Sequence, residues 1–323
     1  MQPITRGLLT VLAAVTASAQ TVELFEAPNS YFTVATANND RGDIVGYFQE
    51  VDSLIRAGFV RDHSGSTTVF YIPDSRDVVP REISPAGEIV GYYLDAATNI
   101  SRGFLRNREG ILTTIAVPGA SVVVANGINP SGEVTGAALI DGFWHGFVRS
   151  PSGTVSLLGI PHAFSTAINP GATVTGFLAT DHTAFVRDSS ATVTYFQAPG
   201  AERTLPVALN ANGEVTGWFA TYPGGPSQGF LRSRAGQFEL FGPPGFSYTE
   251  PQRINSAGDI VGWSFQLPAN QRAFLRTRNG ALTLLDIPNS SGSAANGINN
   301  SGTVVGWTND LALNKLVAFA MRP

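Results

Sequence analysis

Seven side chains of the sequence have the chemistry of a site that binds a sugar or a peptide. They combine aromatic rings with a carboxylate and an imidazole, and they are Trp144, Asp141, Phe143, His145, Tyr222, Phe246 and Tyr248. Exposed aromatic rings beside carboxylate and amide groups commonly hold such ligands, because the rings offer an apolar face in polar surroundings. The alternative hypothesis is that these rings pack between loops or fill the mouth of a channel.

The sequence contains no phosphate-binding loop and no pattern that is typical of metal binding. The four histidines lack the spacing of metal ligands: His63, His145, His162 and His182. We therefore predict no catalytic residues, no metal site and no cofactor. Residues that are distant in the chain could still converge, so the question of an enzyme stays open.

The composition excludes further classes of partner and site. The net charge is -4 over 323 residues, so the chain has no basic field that would attract nucleic acid. The sequence has no cysteine, which excludes disulfides, a thiolate nucleophile and zinc sites that use cysteine. The predicted partner is instead an extracellular or envelope ligand, either a carbohydrate or a protein.

The first 19 residues have the pattern of a signal peptide. Arg6 precedes an apolar stretch over residues 7–17, and Ala17-Ser18-Ala19 has the small residues that precede a cleavage site. The apolar stretch is shorter than the roughly 20 residues that a spanning helix needs. We predict cleavage near Ala19, which leaves one mature domain of residues 20–323. It is expected to be exported to the periplasm or the extracellular space as a monomer without a membrane span.

The elements that position these residues come from a repeat that fills the chain. Each copy contains Ile-Asn-x-x-Gly-Glu-Val-x-Gly or a close variant, and the second glycine recurs about every 43 residues: Gly46, Gly91, Gly136, Gly176, Gly217, Gly262 and Gly306. Each copy also holds four short strand-like runs, which we call strands a to d. This period and these runs predict an all-β protein, a seven-bladed β-propeller of four-stranded blades.

Recurring residues within the copies have structural interpretations. Asn-x-x-Gly predicts a type I turn with a bulge between strands a and b. Ser84 replaces the asparagine in the second copy, and Ala172, which replaces the glycine in the fourth, would need a strained positive φ. Strand c carries Phe-x-Arg in six copies, and an aromatic residue follows the strand-b glycine in six. Since both recur, we expect the arginines to support the fold and the aromatic residues to fill the core.

The last copy lacks a strand d of its own. It ends in Phe319-Ala-Met-Arg-Pro323, whereas residues 22–28 near the mature N-terminus match the strand-d pattern. We predict that this N-terminal strand completes the last blade and so closes the ring. Closure would cover the two free sheet edges at the seam, which otherwise promote aggregation.

The repeats resemble the HAF family of extracellular repeats, which occur in exported bacterial proteins. The family is named for a His-Ala-Phe triplet, whose place is taken here by Ala57-Gly58-Phe59, Arg102-Gly103-Phe104, His145-Gly146-Phe147, Thr183-Ala184-Phe185, Gln228-Gly229-Phe230, Arg272-Ala273-Phe274 and Val317-Ala318-Phe319. None is the full triplet. The resemblance covers nearly all of the mature chain and implies export and a repeat architecture. It provides no catalytic residues that could be transferred.

The two faces of such a propeller differ in variability. The a–b and c–d turns are short and uniform, whereas the b–c and d–a connections diverge, for example over residues 140–144 and 221–225. Because binding residues tend to lie on variable loops over a rigid scaffold, we place the seven candidate residues in a ligand face formed by these connections. Three hypotheses follow: a non-catalytic binding module, a structural or assembly protein of the envelope or extracellular matrix, and an enzyme that acts on a polysaccharide. The first is favoured.

Overall fold

The structure is a computed structural model that describes residues 21–53, 55–268 and 270–322. The predicted signal peptide, residues 1–19, lies outside the described residues. Within them the regular structure is entirely β, with 28 strands and no helix, which confirms the all-β prediction. Within the described residues there is accordingly no helix long and apolar enough to span a bilayer.

The strands follow one another in seven repeat units, and β1 is Thr21–Phe25. Unit 1 contains β2 (Ser30–Asn38), β3 (Ile44–Glu50), β4 (Arg56–Arg61) and β5 (Thr67–Phe70). Unit 2 contains β6 (Ser75–Ile83), β7 (Ile89–Asp95), β8 (Ser101–Arg106) and β9 (Leu112–Ile115). Unit 3 contains β10 (Ala120–Ile128), β11 (Val134–Ile140), β12 (Phe143–Arg149) and β13 (Val155–Leu157).

Unit 4 contains β14 (Ala163–Ile168), β15 (Val174–Leu178), β16 (Ala184–Arg187) and β17 (Val193–Phe196). Unit 5 contains β18 (Arg203–Leu209), β19 (Val215–Ala220), β20 (Ser227–Arg232) and β21 (Phe238–Phe241). Unit 6 contains β22 (Tyr248–Ile254), β23 (Ile260–Gln266), β24 (Asn270–Arg276) and β25 (Leu282–Leu284). Unit 7 contains β26 (Ser290–Ile298), β27 (Val304–Asp310) and β28 (Lys315–Arg322).

The strands of each unit pair antiparallel in chain order. Units 3 to 6 each form a four-stranded sheet, and a single parallel bridge between Arg56 and Asp77 joins units 1 and 2 into one sheet of eight. β1 pairs antiparallel with β28, from Thr21 opposite Arg322 to Phe25 opposite Ala318. The start of the described chain therefore supplies the fourth strand of unit 7.

The asparagine of the a–b turn links each unit to the next. In unit 5 the Asn210 side-chain oxygen accepts hydrogen bonds from the backbone N–H groups of Asn212 and Glu214, while its amide donates to the Glu214 carboxylate and to the carbonyl of Asn255. Six such amide-to-carbonyl bonds, of 3.0–3.3 Å, form what we call the asparagine belt: Asn39 to Ser84, Asn129 to Asn169, Asn169 to Asn210, Asn210 to Asn255, Asn255 to Asn299 and Asn299 to Asn39. Ser84 has no amide to extend the series to Asn129.

The arginines of strand c hold the outer parts of neighbouring units together. Arg276 is fully buried, and its guanidinium carbon lies 5.0 Å from the ring centre of Phe241 in strand d of the preceding unit, where it also pairs with Glu239. The same cation–π arrangement recurs at 4.7–5.0 Å in three further pairs: Arg61 with Phe25, Arg106 with Phe70, and Arg232 with Phe196. These contacts support the structural interpretation of the Phe-x-Arg arginines.

The turn that lacks its glycine adopts the strained conformation expected from the sequence. Ala172 has φ +56°, and Asn169 accepts a hydrogen bond from its N–H as in the turns that carry glycine. Unit 4 also has Ala191, with φ +68°, where the c–d turns of other units carry glycine. The turn geometry is therefore imposed on alanine by the rest of the repeat, at a cost of about 1 kcal/mol per residue.

We expect Ala172→Gly to raise the free energy of unfolding by about 1 kcal/mol, because glycine adopts a positive φ without a Cβ clash. Ala211→Gly is the control, since Ala211 lies in the equivalent turn of unit 5 outside the positive-φ region. There the added freedom of the unfolded chain should lower stability. Urea unfolding of both variants tests the difference, and a destabilised Ala172→Gly variant would contradict it.

Candidate functional site

A β-bulge at the same place in strand a of each unit builds the wall of a central cavity. The pairing with strand b skips one residue, three positions before the turn asparagine or Ser84. The seven skipped residues all line one cavity of about 790 Å³: Thr36, Arg81, Asn126, Thr166, Val207, Gln252 and Asn296. We call it the central cavity. Since the first residues of strand c, Arg56 and Ser101, also line it, it lies toward the b–c and d–a connections.

The residue after the bulge lines a second, smaller cavity on the side of the a–b turns. This belt cavity has a volume of about 180 Å³ and is bordered by the residues of the asparagine belt. In five units the position holds alanine or glycine: Ala37, Gly127, Ala167, Ala208 and Gly297. In unit 2 it holds Glu82 and in unit 6 Arg253. The small residue is therefore the rule of the repeat, and two charged residues depart from it.

Glu82 and Arg253 form an ion pair between units that are not adjacent in the chain. Arg253 Nη2 lies 2.9 Å from a Glu82 carboxylate oxygen and donates to the carbonyl of Arg81 at 2.7 Å. Burial raises the pKa of Glu82, and the nearby Arg253 opposes that shift. Because Arg253 borders both cavities and Glu82 borders the belt cavity, the pair separates the two.

Aromatic side chains form much of the central cavity wall. Tyr47, Tyr92 and Trp307 follow the strand-b glycine of their units and are half-buried around the cavity. These recurring positions were expected to fill the core, so the place of Tyr47, Tyr92 and Trp307 on the cavity wall corrects that prediction. Trp144 and Phe164 line the wall in units 3 and 4, with ring centres 5.1 Å apart in an edge-to-face contact.

Two arginines and two tyrosines converge where units 1 and 2 meet the central cavity. The guanidinium carbon of Arg81 lies 5.3 Å from the ring centre of Tyr92, and Arg56 Nε lies 3.6 Å from an Asp77 carboxylate oxygen. Burial raises the pKa of Tyr47, and the charges of Arg56 and Arg81 act in the opposite direction. We call Arg56, Arg81, Tyr47 and Tyr92 the basic corner of the cavity.

Glu250 is an isolated carboxyl in an otherwise apolar row. It lies opposite Trp263, which follows the strand-b glycine of unit 6, and the same register position in the other units is apolar: Val34, Val79, Val124, Phe164, Leu205 and Ala294. Among the described residues its carboxyl has no hydrogen-bond or ion-pair partner. Burial raises the pKa of Glu250 to about 7.

The structure distributes the seven candidate residues over several places. Trp144 lines the central cavity, whereas the adjacent Phe143 is 55% exposed and packs against His162 with ring centres 4.9 Å apart. Asp141 has φ +50° in a two-residue turn with Gly142, so this b–c connection is a tight hairpin and not the variable loop expected. His145 is half-buried in β12, opposite Ala138.

The remaining candidates lie around units 5 and 6. Tyr222 and Phe246 line a separate cavity of about 490 Å³, and Tyr222 is 55% exposed. Tyr248 packs against Phe265, with ring centres 6.1 Å apart. Of the seven candidate residues, Trp144 is thus the one that lines the central cavity. Arg56, Arg81 and the ion pair were not predicted from the sequence. Alignment of the copies at the positions before the turn asparagine would have singled out Arg81, Glu82 and Arg253.

The described residues bring together no group of three or more histidine, aspartate or glutamate side chains that could hold a metal ion. The central cavity offers aromatic rings around much of its wall and charged donors at the basic corner. This arrangement suits reversible recognition of an organic ligand, because the rings supply apolar contact and the arginines fix its orientation.

We expect Arg253→Ala to lower the free energy of unfolding by about 2 kcal/mol or more, since it leaves the Glu82 carboxyl without its partner. The loss of stability is limited because 24% of the Glu82 side chain is accessible to solvent. The double variant Glu82→Ala/Arg253→Ala restores the small residue that other units carry, and it should recover at least half of the loss. Chemical unfolding of both variants measures this, and a double variant no more stable than Arg253→Ala would contradict the coupling.

Glu250→Gln should stabilise the protein at pH 8 but not at pH 4. The carboxyl ionises near its ordinary pKa of 4.5 in the unfolded chain and near 7 in the folded protein. Wild-type stability therefore falls as the pH rises from about 4.5 through 7. Because solvent reaches part of the carboxyl, we expect a gain of about 1–2 kcal/mol at pH 8. Melting curves across this range test it, with the exposed Glu109→Gln as control; a pH-independent difference would contradict it.

A scan of protein-family models finds no match to the sequence. A search of curated proteins finds no match either. Solved structures do match. Virginiamycin B lyase from Staphylococcus aureus, a catalytically inactive variant with quinupristin, has a TM-score of 0.66 at 15% identity, covering 94% of this chain and 100% of that one.

Two further structures extend the comparison. The β-propeller domain of the Trilobed protease from Pyrococcus furiosus, which has an open velcro topology, gives a TM-score of 0.62 at 9% identity, over 90% of this chain and 94% of that one. TolB from Acinetobacter baumannii gives 0.51 at 12% identity, over 87% and 80%. At these identities the similarity shows the fold alone, and that fold is a β-propeller.

Proposed function

We propose that the chain is a seven-bladed β-propeller in which β1 completes the last blade. Three observations support the closed ring. Each unit contributes one bulged residue to the same central cavity, the amide of Asn299 in unit 7 bonds to Asn39 in unit 1, and β1 pairs with β28. We also propose membership of the HAF repeat family and export after cleavage near Ala19, on the sequence patterns described above.

The function that the geometry supports best is that of a non-catalytic binding module. Its ligand would be an extracellular or envelope carbohydrate or protein segment that enters the central cavity from the side of the b–c and d–a connections. The observation that carries this proposal is the cavity itself, which is large enough for a small organic ligand and is walled by Tyr47, Tyr92, Trp144, Phe164 and Trp307. Stacking on such rings holds flat apolar faces.

A second function, assembly with another envelope protein, is favoured by one surface. The b–c connections of units 6 and 7 expose Leu267 by 63%, Leu311 by 65% and Leu313 by 54%. Exposed apolar residues on neighbouring connections are typical of protein contact sites. Under this alternative the partner would bind across the blades, and the central cavity would remain empty in the complex.

The test is a thermal-shift screen of the protein from Gln20 onward against cell-wall and plant oligosaccharides and peptides. A ligand at a hundred times its dissociation constant stabilises the folded protein by about 2.7 kcal/mol, which such a screen detects. For a ligand found in this way, Trp144→Ala should weaken binding at least about tenfold because a stacking ring is lost.

Phe143→Ala is the matched control, because Phe143 is the next residue of β12 but packs outside the cavity on His162. Equal affinities of the two variants would show that the ligand does not bind in the central cavity. Recovery of chemically altered ligand would support the polysaccharide-active enzyme. A screen in which no compound stabilises the protein, together with a partner protein whose capture depends on Leu311 and Leu313, would support assembly.

A further inference from the structure

We infer that the ligand of the central cavity carries an acidic group, such as a carboxylate, sulfate or phosphate, beside a flat apolar body, and that Arg81 binds the acidic group. This inference rests on the proposed binding function and specifies its ligand class. It follows from the charges around the cavity, from the aromatic rings of units 3 and 4, and from a comparison among the seven units.

The guanidinium of Arg81 has N–H donors that are available to a ligand in the central cavity. Within the described residues no carboxylate lies within 4.0 Å of its guanidinium, and its side chain makes no hydrogen bond to another protein group. Arg253, which also lines the cavity, differs because Glu82 neutralises it at 2.9 Å. A guanidinium has five N–H donors in a fixed plane that matches the oxygens of an acidic group.

The basic corner is positive even though the whole chain carries a net charge of -4. Arg56 and Arg81 contribute two positive charges, and Asp77, beside Arg56, contributes one negative charge. The ring of Tyr92 supports the guanidinium of Arg81 at 5.3 Å and limits its positions. A bound acidic group would therefore meet a preoriented donor in a locally positive environment.

The wall on units 3 and 4 carries no charged side chain and is largely aromatic and aliphatic, with Asn126 and Thr166 as its polar residues. Trp144 and Phe164 present their rings there, and the series continues outward through Phe177, stacked on Phe164 at 5.3 Å, to His182, stacked on Phe177 at 5.8 Å. Val122 and Val124 line the cavity beside them. A ligand with its acidic group at Arg81 would thus place a flat apolar body against these rings.

The other units show that the fold does not require an arginine at the position of Arg81. Each of them forms the same bulge with an uncharged residue there: Thr36, Asn126, Thr166, Val207, Gln252 and Asn296. The strand-c arginines, by contrast, recur because they join neighbouring units. Arg81 is the one arginine at a position where the other units carry uncharged residues such as threonine, so ligand binding explains it better than a requirement of the fold does.

The experiment compares two fluorescent probes that share one body. 8-Anilinonaphthalene-1-sulfonate carries an acidic group, and N-phenyl-1-naphthylamine lacks it. We expect the wild-type protein to bind the sulfonate at least about tenfold more tightly than the amine. Arg81→Gln, and separately Arg81→Thr, which installs the residue of units 1 and 4, should each reduce sulfonate affinity about tenfold and leave amine affinity unchanged. Two variants with intact melting transitions exclude misfolding as the cause.

The matched control is Arg108→Gln, the same change of charge in an exposed c–d turn at the other end of unit 2. Equal sulfonate affinity of the Arg81 and Arg108 variants would overturn the inference. If both probes bind the wild type equally and Trp144→Ala weakens both, the cavity is a binding site but does not select an acidic group. If neither probe binds, or Trp144→Ala affects neither, the cavity is not the binding site, and the proposed function fails with the inference.

Discussion

The structure depends on the buried amide of the asparagine belt. Each amide completes the turn inside its own unit and also bonds to the backbone of the next unit, so one side chain fixes local and long-range geometry together. Burying a polar group is favourable only when its hydrogen bonds are formed, and a displaced neighbour would leave these donors unsatisfied. The belt therefore couples the position of each unit except unit 2 to that of the unit after it.

The coupling at the belt is repeated at the outer edge in a different chemistry. There four of the strand-c arginines lie on aromatic rings of strand d in the preceding unit, as Arg232 does on Phe196. Between the two, phenylalanines such as Phe230 fill the space between sheets. Since each unit contacts mainly its neighbours, stability is distributed along the array, and the wall of the central cavity is left free to vary.

Much of the fold was predictable because it recurs. Seven similar copies identified the strands and the turn asparagine, and Ala172 was expected to have the positive φ that it adopts. The cavity was less predictable, because which side chains face it depends on a bulge that alternation of polar and apolar residues does not reveal. Trp144 was found because it is the tryptophan outside the repeated position. Tyr47 and Tyr92 were missed because they occupy recurring positions, and Arg81 was missed because it occupies a bulge position whose residue type varies among the copies.

The Glu82–Arg253 pair has a consequence for how this array can evolve. Repeat proteins gain and lose whole copies readily, and a unit with alanine at this position fits beside any neighbour. The two charged residues belong to units 2 and 6, and their contact depends on the number of units between them. Deleting or duplicating a unit in that interval would separate the partners and leave the Glu82 carboxyl without Arg253. The ion pair thus penalises a change in the number of units between unit 2 and unit 6.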